Sequence, residues 1–148
     1  AAYPALQREA EAKSLRPSEV LDARVEALAA QRGLPHHALL SAGVFVGPDF
    51  SGNRSPLADP RMRGSVVGLG PVGPPEEATS IDALAVLYLA AVQALAYSTR
   101  AIVEAINAAR LQCQGSAVEP IRAVVACGGL ARRGLYISEH ADALGVPV

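Results

Sequence analysis

An excess of charge of either sign is almost missing from this chain. Thirteen basic against fourteen acidic side chains leave a net charge of -1 over 148 residues. A protein surface that holds nucleic acid by neutralising phosphates needs a basic excess, and no basic arm or stripe is present, so nucleic acid is excluded as a partner. Cysteine is scarce as well. Cys113 and Cys127 stand fourteen positions apart, outside any C-x-x-C spacing, which argues against a disulfide framework or a structural zinc site and fits a reducing, cytoplasmic compartment. Long hydrophobic runs are also lacking. The longest, Leu84 to Tyr97, contains Gln93 and falls short of the ~20 residues that a bilayer requires, so it reads as a buried helix with no membrane partner. The only methionine is Met62; the chain opens on Ala1 and stops at Val148 as a strand begins, the pattern expected of a piece cut from something longer.

What is present is apolar: 51% of the residues are hydrophobic, in a length typical of one domain that folds as one unit around a core. Residues 1–35 form a helical lead-in of two helices split at Arg16 and Pro17. The second starts near Ser18 as N-cap, repeats Leu21, Val25 and Leu28 on one face, and stops at Gly33. Residues 36–70 hold a connector (LPHH), a strand within ALLSAGVFVGPDF, a polar loop and a second strand in GSVVGLG. The Pro/Gly stretch PVGPPEEATS connects onward. Thr79 or Ser80 caps a long helix over 79–110, apolar nearly all round in its first half and one-sided in its second. Residues 121–148 supply a buried strand from Ile121 to Ala126, a Gly128-Gly129 turn, a helix over Gly134 to Leu144 and the start of another strand. Strand, long helix, strand, helix, strand is an α/β pattern.

Two places carry potential chemistry. In VVACGGLARRG a strand leads through paired glycines into a helix; glycine lets a ligand approach the backbone, and the amino end of a helix favours anions. Nucleotide binding is one reading, a tight strand-to-helix turn the other. The loop PDFSGNRSPLADPRMRG presents Asp49, Asn53, Arg54, Asp59, Arg61 and Arg63 between prolines. Its arginines suit phosphate or sugar hydroxyls, with Asp49, Asn53 and Asp59 accepting; alternatively an Asp59–Arg54 ion pair pins the loop. His36, His37 and His140 read as solvated surface rather than metal ligands, and Cys127 as core packing. Ser51 and Ser55 lack any supporting His-Asp pattern, which sets hydrolase chemistry aside.

Three stretches in order then resemble the FGGY carbohydrate kinases. PDFSGNRSPLADPRMRGSVVGL is similar to that family's signature loop and strand, YSTRAIVEAINAAR to its long helix, and CGGLARRGLYISEHADALGVPV to its adenosine turn, following helix and next strand. The likeness covers about residues 36–148, and the loop is most like the pentulose-kinase, ribulokinase-like branch. It implies a ribonuclease H-like, actin-like ATPase fold, of which residues 1–148 are an incomplete carboxyl-terminal lobe. The implied activity is transfer of the γ-phosphoryl group of ATP, with Mg²⁺, to a hydroxyl of a small sugar, a pentulose such as D-ribulose.

By resemblance, Gly64 and Gly68 bring backbone near the nucleotide phosphates, and Gly128 and Gly129 form the adenosine turn. Arg133 stands where the family often has an adenine-contacting asparagine, and Gly70 where a threonine commonly follows Gly-Leu. Asp49, Asn53, Arg54, Asp59 and Arg63 shape the cleft wall. The resemblance places the catalytic base, the sugar site and the first phosphate loop in an amino-terminal kinase lobe that this chain lacks. It implies no catalytic or metal-binding residue here, an inactive fragment when isolated, and a possible homodimer in the full enzyme. A non-catalytic interaction module derived from the kinase lobe is the alternative.

Overall fold

The computed structural model of the chain describes residues 3–70, 80–114 and 119–148. The Pro/Gly connector and Thr79 lie outside them. Four helices dominate: α1 (Pro4–Lys13), α2 (Pro17–Gln31), α3 (Ile81–Gln114) and α4 (Gly134–Leu144). Two short strands, β1 (Phe45–Gly47) and β2 (Ser65–Val67), pair in a two-stranded sheet. Length alone suggests a single unit, whereas the chain divides into two compact ones: Ala1–Phe45 with Val66–Ala90, and Val46–Ser65 with Ala91–Val148.

The first unit is built from α1, α2 and the start of α3. Each of the first two helices opens on a proline, whose fixed φ suits the first helical position and whose missing N–H has no partner to lose there. The start of α2 falls earlier than Ser18. Arg16 is its N-cap, with its backbone N–H donating to Glu19 Oε2 at 2.7 Å and its guanidinium to Oε1 at 2.7 Å. The helix closes as Gly33 predicts: Gly33 takes φ +61°, its N–H reaches the Ala30 carbonyl, and the Leu34 N–H reaches that of Ala29. Val20, Leu21, Val25, Leu28 and Ala29 are buried along the inner face of α2. His37, the end of the expected connector, and Ala38 to Ser41, expected to begin a strand, form a 3-10 helix (His37–Ser41) packed on α2. Its turn is set locally, since His36 Nδ1 accepts from the Ala38 N–H at 3.2 Å.

Ser80 caps α3, its Oγ accepting from the Ala83 N–H at 3.1 Å. At 34 residues the helix is about 51 Å long by the usual rise. By length and composition it is apolar enough to cross a membrane, but its first half is instead core, with Ala85, Val86, Leu89 and Ala90 all buried. Polar ties fix the α3 start in the first unit. Arg24 donates to Glu9 on α1 at 2.9 Å and to Asp82 on α3 at 3.2 Å, and the Tyr88 hydroxyl donates to Asp22 on α2 at 2.9 Å.

In the second unit, Arg100 on α3 holds Glu104 at 2.7 Å and donates to the Ala143 carbonyl of α4 at 3.0 Å, a cation at a helix carboxyl end. Residues 121–126 do not form the buried strand that their β-branched sequence suggests. The backbone is irregular and Val125 is 93% exposed. A strand needs a ladder partner; here Val124 donates to the Pro147 carbonyl at 2.9 Å and Ile121 to Asn107 Oδ1 at 3.0 Å, with no paired ladder among the described residues. For the same reason Cys127 is exposed rather than core.

Leu89→Ala, at a site with no exposure, is expected to cost about 2–5 kcal/mol, read as a drop in the urea midpoint. Hydrogen bonds from Lys13 and then Arg24 hold the Glu9 carboxyl below its ordinary value. A lowered folded-state value means that stability is present above the unfolded glutamate range and is lost as pH falls through the folded value. Glu9→Gln should therefore flatten the acid limb of a stability–pH curve; an unchanged limb would remove Glu9 from the ledger.

Candidate functional site

The polar loop is fastened chiefly to itself. Asn53 sits at its centre: its Nδ2 donates to Asp49 Oδ1 at 2.8 Å, its Oδ1 accepts from the Leu57 N–H at 3.0 Å, and its backbone N–H donates to the Asp59 carbonyl at 2.9 Å. One asparagine thus spends both ends of its amide and its main chain on closing the loop. Asp59 pairs with Arg61, not with Arg54 as the spacing suggests. Its Oδ1 accepts from the Arg61 backbone N–H at 2.8 Å and from Nε at 3.3 Å, an Asx-type turn that a two-residue separation favours. Arg63 Nη1 donates to the carbonyls of Pro60, Arg61 and Met62 at 2.9–3.3 Å.

Arg54 is the exception. It is exposed, makes no hydrogen bond or ion pair among the described residues, and lines a cavity of about 310 Å³ with Ser51, Gly52, Asn53, Ala58 and Pro60.

Two glycines near the loop have close neighbours of their own. A Cβ on Gly64 would strike the Phe50 ring, and one on Gly68, at φ +85°, would run into the Gly43 carbonyl. Packing already demands glycine at both positions. The Gly128-Gly129 turn differs, because a Cβ on either would meet open space. Gly128 takes φ +100°, which favours glycine on backbone grounds. Gly129 has ordinary right-handed angles, so nothing local excludes a side chain there.

Gly129 instead borders a cavity of about 320 Å³, walled by Val124, Ala126, Cys127 and Leu130 before α4, by Tyr136 and His140 on α4, and by Thr99 and Val148. That volume lies at the low end of the ~300–1,000 Å³ of small-molecule sites, and the wall is largely apolar with a few polar groups, as such sites are. Arg133 does not line it. It is buried, 6% exposed, as the N-cap residue of α4, a position unsuited to stacking freely on a base.

His140 was not anticipated as a cavity residue. Rather than solvated surface it is 3% exposed, its ring 4.0 Å from that of Tyr136. The signal lay in helical spacing, since Leu135, Glu139, His140 and Ala143 share the buried face of α4. His36 is exposed as expected, while His37 lies 2.9 Å from Glu26.

Comparison with known proteins places the chain. Residues 4–148 match the model of the FGGY family of carbohydrate kinases, C-terminal domain, and the chain belongs to that family. It is 37% identical over all 148 residues to an FGGY carbohydrate kinase domain-containing protein of Homo sapiens, covering 24% of that protein. It is 32% identical over 130 residues, 88% of this chain and 16% of the relative, to a D-ribulokinase of Saccharomyces cerevisiae. A glycerol kinase of Leptothrix cholodnii is 31% identical over 124 residues, 84% of this chain and 22% of the relative. The chain thus spans a quarter or less of the length of these relatives.

Asn53→Ala removes both side-chain ties and should cost about 1 kcal/mol per lost bond. Amide exchange at Leu57, whose N–H loses its acceptor, is expected to quicken; unchanged protection there would show that the loop is held by other means.

Proposed function

We propose that this chain supplies part of the ATP site and cleft wall of a carbohydrate kinase that phosphorylates a hydroxyl of a small sugar. The observation that carries the reading is the cavity at Gly129, a concave and largely apolar space beside a paired-glycine turn that leads into α4, in a chain of this family. The fold of the whole lobe is, on this reading, ribonuclease H-like and actin-like, and the enzyme is cytoplasmic. A pentulose such as D-ribulose is the proposed substrate; the yeast relative described as a D-ribulokinase supports it, while the glycerol kinase likeness keeps other polyols in the test.

In this scheme Gly128 and Gly129 admit the nucleoside by leaving the turn bare, and the apolar wall excludes water from the base. Gly64 and Gly68 border the phosphates, and Asp49, Asn53, Arg54, Asp59 and Arg63 form one face of the sugar-nucleotide cleft, with Arg54 free to neutralise phosphate charge. Mg²⁺ would shield the phosphates. The loop carboxylates fit it poorly, because Asp49 already accepts from Asn53 and Asp59 from Arg61, so no residue of this chain is assigned to the metal. The general base that takes the sugar hydroxyl proton is assigned to an amino-terminal lobe. Phosphoryl transfer depends mainly on positioning and charge neutralisation, so one lobe alone should be inactive.

Calorimetric titration with ATP and Mg²⁺ tests this, first on the chain alone and then with an amino-terminal kinase lobe added. Weak binding that strengthens with the second lobe is expected; no binding in either state leaves an interaction module. Gly129→Val places two methyl groups at the cavity edge without a forbidden backbone angle. It should weaken ATP binding about tenfold or more with little change in melting temperature, and unaltered affinity would count against the turn as the nucleoside site.

A further inference from the structure

His140 carries a hydrogen-bonding atom that the protein does not use. Its Nδ1 lies 2.8 Å from the Tyr136 carbonyl oxygen, one helical turn back. A carbonyl only accepts, so Nδ1 holds the hydrogen and Nε2 of the neutral ring is a bare acceptor. Nε2 is buried and has no partner among the described residues. Buried acceptors are ordinarily satisfied, and leaving one without a donor is unfavourable, so an orphan in a buried ring marks a place where a partner is missing. The same imidazole is part of the wall of the cavity at Gly129, where its neighbours Val124, Ala126, Leu130 and Tyr136 offer mainly hydrocarbon.

We infer that His140 selects the nucleotide base, its Nε2 accepting a hydrogen bond from an exocyclic amino group of a purine seated in the cavity. The inference rests on the proposed nucleotide site and deepens it by naming the group that reads the base. An amino N–H matches a bare acceptor; a base presenting only a carbonyl or a C–H at that point leaves Nε2 unpaired in a desolvated wall. Contact requires the cavity wall to give by side-chain rotation, a change common on ligand binding. Arg133 is buried and off the cavity wall, so it does not compete for the base there.

The test compares binding of ATP and of purine riboside triphosphate, which lacks the 6-amino group, to the full-length protein that carries this chain. ATP should bind about 2- to 12-fold more tightly, the range of one neutral hydrogen bond. His140→Phe should remove the preference by weakening ATP alone, and His140→Gln, which retains an acceptor, should restore part of it. A purely structural role would shift both nucleotides equally. Equal affinities in the unaltered protein would overturn the inference even if no variant folds, as would a preference that persists in His140→Phe. If neither nucleotide binds the unaltered protein, the nucleotide site itself is refuted and the inference falls with it.

Discussion

The structure depends on burying the start of α3. Its first sixteen residues are apolar on nearly every side, and a helix of that kind has no stable position in water. Ala85 and Leu89 have no exposure, and Val86 and Ala90 have 3% each. The amino-terminal helices exist to serve this need: α1 and α2 bring their own apolar faces together, and the ties from Asp22 and Arg24 to Tyr88 and Asp82 set the angle at which α3 enters. Removing hydrocarbon from water supplies the drive, and the partly exposed polar pairs add direction more than energy.

Once its first half is fixed, α3 becomes the rod on which the second unit is organised. Its later turns have no buried residue between Ala96 and Cys113, yet they carry the groups that hold other segments: Arg100 on the α4 carboxyl end, Asn107 on the Ile121 N–H, and Thr99 on the cavity wall. A helix that is core at one end and polar scaffold at the other explains why the chain can divide into two compact units while sharing one continuous element.

The two candidate regions manage their polar groups in opposite ways. The signature loop consumes most of its charged and amide groups: Asp49, Asn53, Asp59, Arg61 and Arg63 are tied to one another or to neighbouring carbonyls, while Arg54 has no such tie among the described residues. The Gly129 cavity leaves its wall bare, with open space beside both glycines and an unpaired His140 nitrogen. Rigidity in the first and vacancy in the second suit a wall and a pocket. Both regions lie in a chain of the FGGY family that covers a quarter or less of the relatives it matches.

Local chemistry was legible in the sequence wherever a single turn or helix decides the outcome. Gly33 and Ser80 punctuate helices through a φ preference and a hydroxyl, and the Leu21, Val25, Leu28 stripe follows from a 3.6-residue period; no distant partner is needed. The family likeness was legible for the same reason, being carried by contiguous stretches. Where a distant partner matters, the sequence misleads. Residues 121–126 have strand composition, but a strand is defined by its neighbours, and here they make isolated bonds. Asp59 had a choice of arginines, and only the path of the turn selected Arg61. His140 looked like surface beside Glu139, and only the packing of α4 buried it and left Nε2 unpaired. The sequence by itself determined the presence of the helices and the family, because these rest on neighbours within a few residues. Tertiary structure decided which polar atoms are satisfied and which remain open to a ligand, because that depends on groups brought together from far along the chain.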